Sequence, residues 1–244
     1  MKLRDNTVLI TGGASGIGLA LAQAFHHHGN TVIVCGRNAA RLAELKTQLP
    51  DIVSYPCDLS DAAALEQFAK TIQDNHPELN LLINNAGVQY SFRFDEATPH
   101  TTAIKEEVAI NLLAPLLLTD RLLPQLRQQS RAAIINVTSA LARVPKQSTP
   151  VYCATKAAMH SFSQTLRYQL EGSAVSVFEL VPSLVDTAMT KGRGKGKISP
   201  QALASEALKA MAANKHEILI EKTKMLYLLY RFFPSVAHRL LKNA

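Results

Sequence analysis

Apolar and polar positions alternate along this chain in blocks. Short β-branched runs are apolar throughout, and Ala- and Leu-rich stretches with helical spacing separate them. Strands that are apolar on both faces and separated by helices are typical of a parallel sheet covered on both sides. We therefore predict an α/β fold, a Rossmann-like doubly wound parallel sheet of about seven strands with helices on both faces. The predicted strands are 7–10, 31–35, 52–55, 79–84, 132–137, 174–181 and 217–220.

Capping residues predict where several helices begin. Helical patterns run from the first glycine-rich turn to residue 28, over 39–49 and over 61–73, and Ser60 is the expected N-cap of the third. Ser199 followed by Pro200 predicts another helix start. Just before it, TKGRGKGKISP has three glycines and four basic residues. We expect a flexible substrate loop there, at about 187–200.

Length and charge limit the architecture. The 244 residues suit a single Rossmann-type domain over 1–244, with an apolar and basic C-terminal extension at about 222–244. Charged residues make up 18% of the chain, which argues against disorder. The net charge of +7 favours anionic ligands, but it is spread over a long chain. No aromatic and basic platform or recognised motif points to nucleic acid.

Cysteine and histidine placement argues against a metal site. Cys35, Cys57 and Cys153 lie far apart and form no CxxC pair, so we expect no zinc site, no disulfide framework and a reducing, cytoplasmic location. The run HHH at 26–28 would sit on one helical turn with its rings pointing apart, which suits a solvated helix end. We see no secretory leader at the N-terminus and no apolar run of membrane-spanning length.

A glycine-rich turn follows the first predicted strand. VLITGGASGIG places it between a strand and a helix. Glycine lets the backbone approach a pyrophosphate closely, and a helix N-terminus offers free N–H groups to that anion. The alternative is a tight turn with no ligand, but this position at the first βα turn favours nucleotide binding.

Tyr152 and Lys156 lie four residues apart in a predicted helix and so share one helix face. The pair is a weak signal by itself. Together with Thr11, Gly12, Gly16 and Gly18, however, it resembles the short-chain dehydrogenase/reductase family. Further matches follow the family's order over about residues 7–190: NNAG at 84–87, NLLAP from 111, NVTS at 136–139 and VPSLVDT at 181–187. The N-terminal half also resembles a bacterial branch named for D-alanine esterification of teichoic acids.

The resemblance implies an oxidoreductase that interconverts a carbonyl and a secondary alcohol. Tyr152 would be the general acid or base, and a nearby Lys156 ammonium would lower the pKa of its phenol. Ser139 would hold the substrate oxygen, and Asn111 would support a proton relay. The implied cofactor-binding residues are Gly12, Ser15, Gly16, Ile17, Gly18, Arg37, Asp58, Leu59, Asn85, Ala86, Gly87, Tyr152, Lys156, Pro182, Val185 and Thr187.

The residues after the second strand favour NADP(H) over NAD(H). NAD-binding sheets usually carry an acidic residue there, whereas this chain has Gly36 and Arg37. A guanidinium can bind a 2′-phosphate that a carboxylate would repel. The family also usually has glycine where this chain has Ser183, which leaves the geometry of the cofactor loop open.

Each of these assignments has a structural alternative. Arg37 could be a solvated surface residue, Asp58 a helix cap, Ser139 a partner for backbone at a strand end, Asn111 a helix cap or bend, and Tyr152 a half-buried core aromatic. A catalytically silent NADP(H)-binding sensor or interaction protein on the same fold is the alternative function. We expect a homodimer or homotetramer, with the C-terminal extension in a subunit interface rather than covering the core or lying on an anionic membrane surface.

Overall fold

A computed structural model describes residues 1–243, and its centre is a parallel sheet of seven strands. The spatial order is β3-β2-β1-β4-β5-β6-β7, so the chain reverses direction across the sheet between β1 and β4. The predicted doubly wound fold is confirmed. The strands are β1 Thr7–Thr11, β2 Thr31–Gly36, β3 Val53–Pro56, β4 Leu81–Asn84, β5 Ala132–Val137, β6 Val175–Val181 and β7 Glu217–Leu219.

Helices cover both faces of this sheet. One helical stretch is interrupted by a π-helical turn at Ala109–Leu113. The α-helices are α1 Gly16–His27, α2 Ala39–Gln48, α3 Ala62–Asn75, α4 Thr101–Val108, α5 Ala114–Gln128, α6 Pro150–Gln169, α7 Pro200–Ala212, α8 Lys222–Phe232 and α9 Pro234–Leu241.

The core lies in two layers, one on each face of the sheet. Val8 and Ile10 of β1 pack into the layer under α1, α2 and α7, whereas Leu9 packs into the layer under α3, α5 and α6. Alternate residues of a strand point to opposite faces, so a strand buried on both sides must be apolar at every position. This explains why the strands read as continuous apolar runs.

The helix caps test the sequence interpretation directly. Ser199 caps α7 as predicted, and its side chain accepts a hydrogen bond from the Ala202 N–H at 3.1 Å. Ser60 is not the cap of α3, so that prediction is wrong. Asp61 takes this position and accepts from the Ala63 and Ala64 N–H groups, while Ser60 donates its hydroxyl to Asp58 at 2.7 Å. The carboxylate of Asp61 reaches two free N–H groups of the first turn.

Two segments beyond β6 matter for the site. The glycine-rich loop follows a short helical turn at Ala188–Thr190, and a β-bridge between Val185 and Ile198 closes it. At the C-terminal end, α8 and α9 form a hairpin in which the rings of Tyr230 and His238 lie 5.4 Å apart. Within residues 1–243, no helix is long and apolar enough to cross a membrane. Flexibility of the loop and the single-domain organisation remain predictions.

Candidate active site

The parallel strands bring the predicted site residues to one edge of the sheet. Each follows the carboxyl end of a strand or lies on a helix packed beside that edge, which is where ligands bind in folds of this type. Gly12 to Gly18 follow β1, Arg37 follows β2, Asp58 and Leu59 follow β3, and Asn85 to Gly87 follow β4. Ser139 follows β5, and Pro182 to Thr187 follow β6. Asn111 lies in the π-helical turn, and Tyr152 and Lys156 lie on α6.

The turn between β1 and α1 leaves backbone N–H groups open. Gly12 and Gly16 have φ angles of +65° and +53°, a region that favours glycine. A Cβ on Gly18 would collide with the Gly12 carbonyl oxygen. Ser15 is the N-cap of α1 but makes no capping hydrogen bond, and the first turn contains no acidic residue. No capping side chain therefore occupies the first N–H groups of α1, which remain donors for an anion.

The NNAG segment supports this turn from β4. The Asn85 side chain donates to the Thr11 carbonyl at 2.8 Å. The backbone N–H groups of Asn85 and Ala86 both donate to the Thr11 hydroxyl at 3.0 Å. These bonds fix the two loops against each other at the point where the order of strands reverses.

Arg37 lies in an ion pair beside the predicted ribose region. Its guanidinium is 2.6 Å from the Glu106 carboxylate, which also accepts the Tyr90 hydroxyl at 2.6 Å. The Arg37 side chain is still 57% exposed, so donors remain for a second anion.

Hydrogen bonds from the Ser60 side chain and backbone lower the pKa of the Asp58 carboxyl. Asp58 thus orders the turn before α3, but Asp61 and not Asp58 is the N-cap of that helix, so the capping alternative for Asp58 is wrong.

Tyr152 is buried on α6 next to Ser139. Burial raises the pKa of its phenol to about 12, and the side chain of Ser139 partly opposes this rise. The expectation of a lowered pKa is therefore wrong for this structure, because loss of hydration outweighs any nearby positive charge. The Ser139 hydroxyl also accepts a hydrogen bond from the Leu141 N–H at 3.1 Å, so it caps a short turn as well as facing Tyr152.

Lys156 lies one helical turn further along α6 and is also buried. Its Nζ donates to the Val137 carbonyl at 2.8 Å and lies 5.7 Å from the centroid of the Tyr152 ring. Burial lowers the pKa of this ammonium to about 8. Near neutral pH the site therefore holds a protonated phenol beside a lysine close to its titration point.

The π-helical turn presents Asn111 to the segment after β4. Its Oδ1 accepts from the Val88 N–H and its Nδ2 donates to the Val88 carbonyl, both at 2.8 Å. A Cβ on Gly87 would lie 3.3 Å from the Asn111 Oδ1 and 3.7 Å from the Lys156 Nζ. Asn111, Gly87 and Lys156 therefore meet at one point, consistent with a polar relay and with the bend in the helix.

The loop after β6 closes the remaining side. A Cβ on Gly16 would contact Thr187 at 3.2 Å, which shows that the first and last loops of the site meet. Ser183 stands where the family resemblance implies glycine, and its hydroxyl oxygen is buried without a hydrogen-bond partner. An unpaired buried hydroxyl of this kind fits a site built to meet a polar ligand group. Together with the open glycine turn, it makes this edge suited to a nicotinamide dinucleotide.

The sequence interpretation also missed Glu107, a buried acidic residue of the site. Glu107 is fully buried on α4, accepts from the Tyr90 N–H at 2.8 Å, and has one carboxylate oxygen without a partner. Burial raises the pKa of this carboxyl. Its charge would also raise the pKa of Tyr152. In the sequence, only the position of Glu107 four residues before Asn111, on the same face of a predicted helix, could have indicated that it belongs to the site.

A polar network behind Ser139 was also missed. The Tyr227 hydroxyl on α8 donates to the Ser139 carbonyl at 3.3 Å, and the Arg143 guanidinium lies 4.5 Å from the centroid of its ring. Buried Glu179 accepts from Thr138 at 2.7 Å and pairs with His160 at 2.8 Å. No sequence motif marks these residues, since the contacts join distant segments.

Ligand atoms of His160, Glu179 and Glu217 lie within 4.8 Å of one another, a spacing that a metal ion could use. The Arg143 guanidinium is already 2.8 Å from the Glu217 carboxylate and 3.3 Å from the free ring nitrogen of His160. The Arg143 guanidinium therefore already provides a positive charge beside Glu217 and His160, at the place where a metal ion would otherwise do so.

Comparisons with known proteins agree with this geometry. The short chain dehydrogenase family model matches residues 6–197. The chain is 44% identical over 230 residues to the uncharacterized oxidoreductase DltE of Bacillus subtilis strain 168, covering 92% of this chain and 91% of that protein.

Solved structures share the fold. A short chain dehydrogenase from Burkholderia cenocepacia J2315 in complex with NADP has 24% identity and a TM-score of 0.88, and all of both chains is covered. A short chain dehydrogenase/reductase from Burkholderia phymatum in complex with NAD has 21% identity and a TM-score of 0.85, covering 100% of this chain and 97% of that one. Because the family model matches most of its length and because it is 44% identical to DltE, the chain belongs to the short chain dehydrogenase family of oxidoreductases.

Proposed function

We propose that this protein is an NADP(H)-dependent oxidoreductase that interconverts a carbonyl and a secondary alcohol. The observation that carries the proposal is the meeting of Ser139, Tyr152, Lys156 and Asn111 at the sheet edge, next to an open glycine turn. A noncatalytic sensor would have no use for a buried phenol and a buried lysine in this arrangement.

The glycine turn, Ser15 and the N-terminus of α1 would hold the pyrophosphate. Asn85 to Gly87, Ser183 and Thr187 would border the nicotinamide half, and Arg37 and Asp58 the adenosine half. When bound, the cofactor supplies or accepts the hydride. The solved relatives hold either NADP or NAD, so the choice between them comes from this chain's own residues. Arg37 with no acidic residue beside it on the β2 loop favours NADP(H).

Tyr152 would give its proton to the substrate oxygen during reduction. Because burial raises the pKa of the phenol to about 12, the Tyr152 hydroxyl is fully protonated at neutral pH and can act as the proton donor. The Ser139 hydroxyl would hold the same oxygen and stabilise the charge that develops on it. Lys156 in its charged form would stabilise the phenolate that remains, and the cluster of Lys156, Gly87 and Asn111 offers a route for replacing the proton.

The first experiment is a titration of the purified protein with NADPH and with NADH, followed by nicotinamide fluorescence. A carbonyl panel is then screened with the preferred cofactor. Tyr152→Phe should keep cofactor binding and lower kcat by about 10²–10⁴-fold or more, the contribution of a positioned acid. Tyr168→Phe is the matched control, because Tyr168 lies on the same helix but is exposed.

Retained turnover in Tyr152→Phe would overturn the assignment of the proton donor. Binding of NADPH without turnover on any carbonyl would instead favour the silent sensor. Tighter binding of NADH than of NADPH would refute the proposed cofactor preference and leave the chemistry standing.

A further inference from the structure

The hairpin of α8 and α9, here called the C-terminal hairpin (222–241), exposes two apolar stripes. Both stripes have helical spacing and leave each side chain 51–75% exposed. They hold half of the twelve large hydrophobic residues that are exposed within the described chain. Such a concentration indicates an interaction surface rather than scattered surface residues. The stripes are Met225, Leu228 and Phe232 on α8, and Phe233, Val236 and Leu240 at the start of and along α9.

The opposite side of the C-terminal hairpin is fixed to the rest of the protein. Thr223, Tyr227 and Ala237 are buried there. The Gln147 N–H donates to the Lys242 carbonyl at 3.1 Å, which ties the chain after α9 to the loop between Ser139 and Tyr152. The exposed stripes therefore belong to a docked element whose buried side contacts the segment that carries Ser139.

The charged residues of the C-terminal hairpin itself are all basic. Residues 222–243 contain five lysines and arginines and no aspartate or glutamate. Lys224 pairs with Glu206 of α7, while no described carboxylate lies within ion-pair distance of the other four. The Lys222 Nζ also donates to the Gly196 carbonyl at 2.9 Å, so the basic loop at 190–197 adjoins the hairpin. The five basic residues are Lys222, Lys224, Arg231, Arg239 and Lys242.

We propose that the C-terminal hairpin docks on the surface of an anionic lipid bilayer. Exposed Leu, Met and Phe side chains enter the boundary between headgroups and acyl chains, and the flanking lysines and arginines meet anionic headgroups. A second copy of this chain is a poorer fit. A two-fold contact centred on the hairpin would place its five cations opposite the same five cations, with no acidic residue in the segment to compensate.

The experiment is cosedimentation of the full chain with vesicles. One set contains phosphatidylglycerol and phosphatidylcholine, and the other phosphatidylcholine alone. We expect binding to the anionic vesicles to be about tenfold tighter or more, and to weaken with added salt. The double variant Leu228→Ser/Phe232→Ser should lose about tenfold in affinity for anionic vesicles, because it removes two inserting side chains.

Tyr168→Ser is the matched control, since it removes a side chain of equal exposure outside the hairpin. Thermal melting establishes that each variant is folded, and sedimentation velocity measures its oligomeric state. Failure of the folded wild-type protein to bind anionic vesicles would overturn the proposal. Equal loss of binding in Tyr168→Ser would also overturn it, as would dissociation of an oligomer by the hairpin variant, which would assign the surface to a second copy.

Discussion

Asn111 and Val88 exchange two hydrogen bonds of 2.8 Å, in which the side-chain amide of Asn111 pairs with both backbone groups of Val88. Asn111 lies in the π-helical turn that breaks the regular helix between α4 and α5. The extra residue of such a turn re-aims a side chain, and π-helical turns are frequent at functional sites. Here the turn holds the segment after β4 against the proposed catalytic residues.

Replacing Asn111 should therefore loosen this segment. Asn111→Ala leaves the Val88 N–H and carbonyl without their partner, which should lower the free energy of unfolding by about 2–4 kcal/mol. Asn111→Asp is the matched variant, since it keeps an acceptor for the N–H and loses the donor to the carbonyl. Urea denaturation near neutral pH should place Asn111→Asp no higher in stability than Asn111→Ala, because a buried carboxylate oxygen would face the Val88 carbonyl. Equal stability of all three proteins would show that the pairing contributes nothing.

Lys156 should carry a stability cost that its function requires. Burial lowers the pKa of its ammonium to about 8 in the folded protein, below the usual value near 10.5. The unfolded chain then binds more protons between these two values, so the contribution of Lys156 to stability rises with pH across that window. Lys156→Met should raise Tm at pH 7 by a few degrees, with a smaller gain at pH 10, while turnover is lost.

The hydrogen bond from Lys156 to the Val137 carbonyl opposes this gain, because the methionine cannot donate. An unchanged or lower Tm at pH 7 would mean that this bond outweighs the burial of the charge. The pH profile gives a second readout. Reduction should slow above about pH 8, where the ammonium is lost and the Tyr152 phenolate is no longer stabilised. A rate that stays constant to pH 10 would contradict this role.

The sequence predicted the sheet because each strand is buried on both faces, so its apolar run is visible without knowledge of its neighbours. The candidate site residues could be placed at strand ends because Thr11 ends β1, Asn85 directly follows β4 and Ser139 lies just beyond β5. The cap of α3 was misassigned because Ser60 and Asp61 are both good N-caps. Local preference cannot tell which side chain reaches the first-turn N–H groups.

Burial and distant contacts explain the other differences. The raised pKa of Tyr152 follows from desolvation, which depends on the packing of several segments. The network from Tyr227 to Ser139 joins residues 88 positions apart, and residue type alone does not separate buried Glu107 from its half-buried neighbour Glu106. These features arise only when the tertiary structure forms, whereas the period of hydrophobic residues is already present in the chain.

Arg37 should determine the preference for NADP(H). Its exposed guanidinium, oriented by Glu106, retains donors for a 2′-phosphate. Arg37→Ala should weaken NADPH binding by about 10–100-fold, the scale of a lost charge-assisted hydrogen bond, and leave NADH binding nearly unchanged. Arg41→Ala is the control, because Arg41 is an exposed arginine in the first turn of α2, four residues after Arg37. Fluorescence titration of both variants with both cofactors measures the effect. Equal losses of affinity for NADPH and NADH would show that Arg37 does not bind the 2′-phosphate.

Glu106 and Glu107 are neighbours on α4 whose carboxyl pKa values shift in opposite directions. Burial raises the pKa of Glu107, whereas hydrogen bonds from Tyr90 and Arg37 lower that of Glu106. A raised carboxyl pKa gives stability that is present at low pH and lost as pH rises through the folded pKa. Glu107→Gln should therefore stabilise the protein at pH 8 by about 1–3 kcal/mol, since it removes a buried charge and keeps the acceptor for Tyr90.

Glu106→Gln is the matched variant and should have the opposite effect. Its lowered pKa gives stability that is present at neutral pH and lost as pH falls, so this variant should be less stable at pH 7 by about 0.2–1 kcal/mol, the scale of an exposed ion pair. Glu107→Gln should approach the wild type as pH falls toward 4, because the raised pKa leaves the Glu107 carboxyl neutral there, whereas Glu106→Gln should approach it only as pH falls through the lowered pKa of Glu106. Denaturation at pH 4, 6 and 8 measures the two trends. If the free energy of unfolding changed with pH in the same way in both variants, the two carboxyls would have similar pKa values. That result would contradict the burial of Glu107 and the ion pair of Glu106.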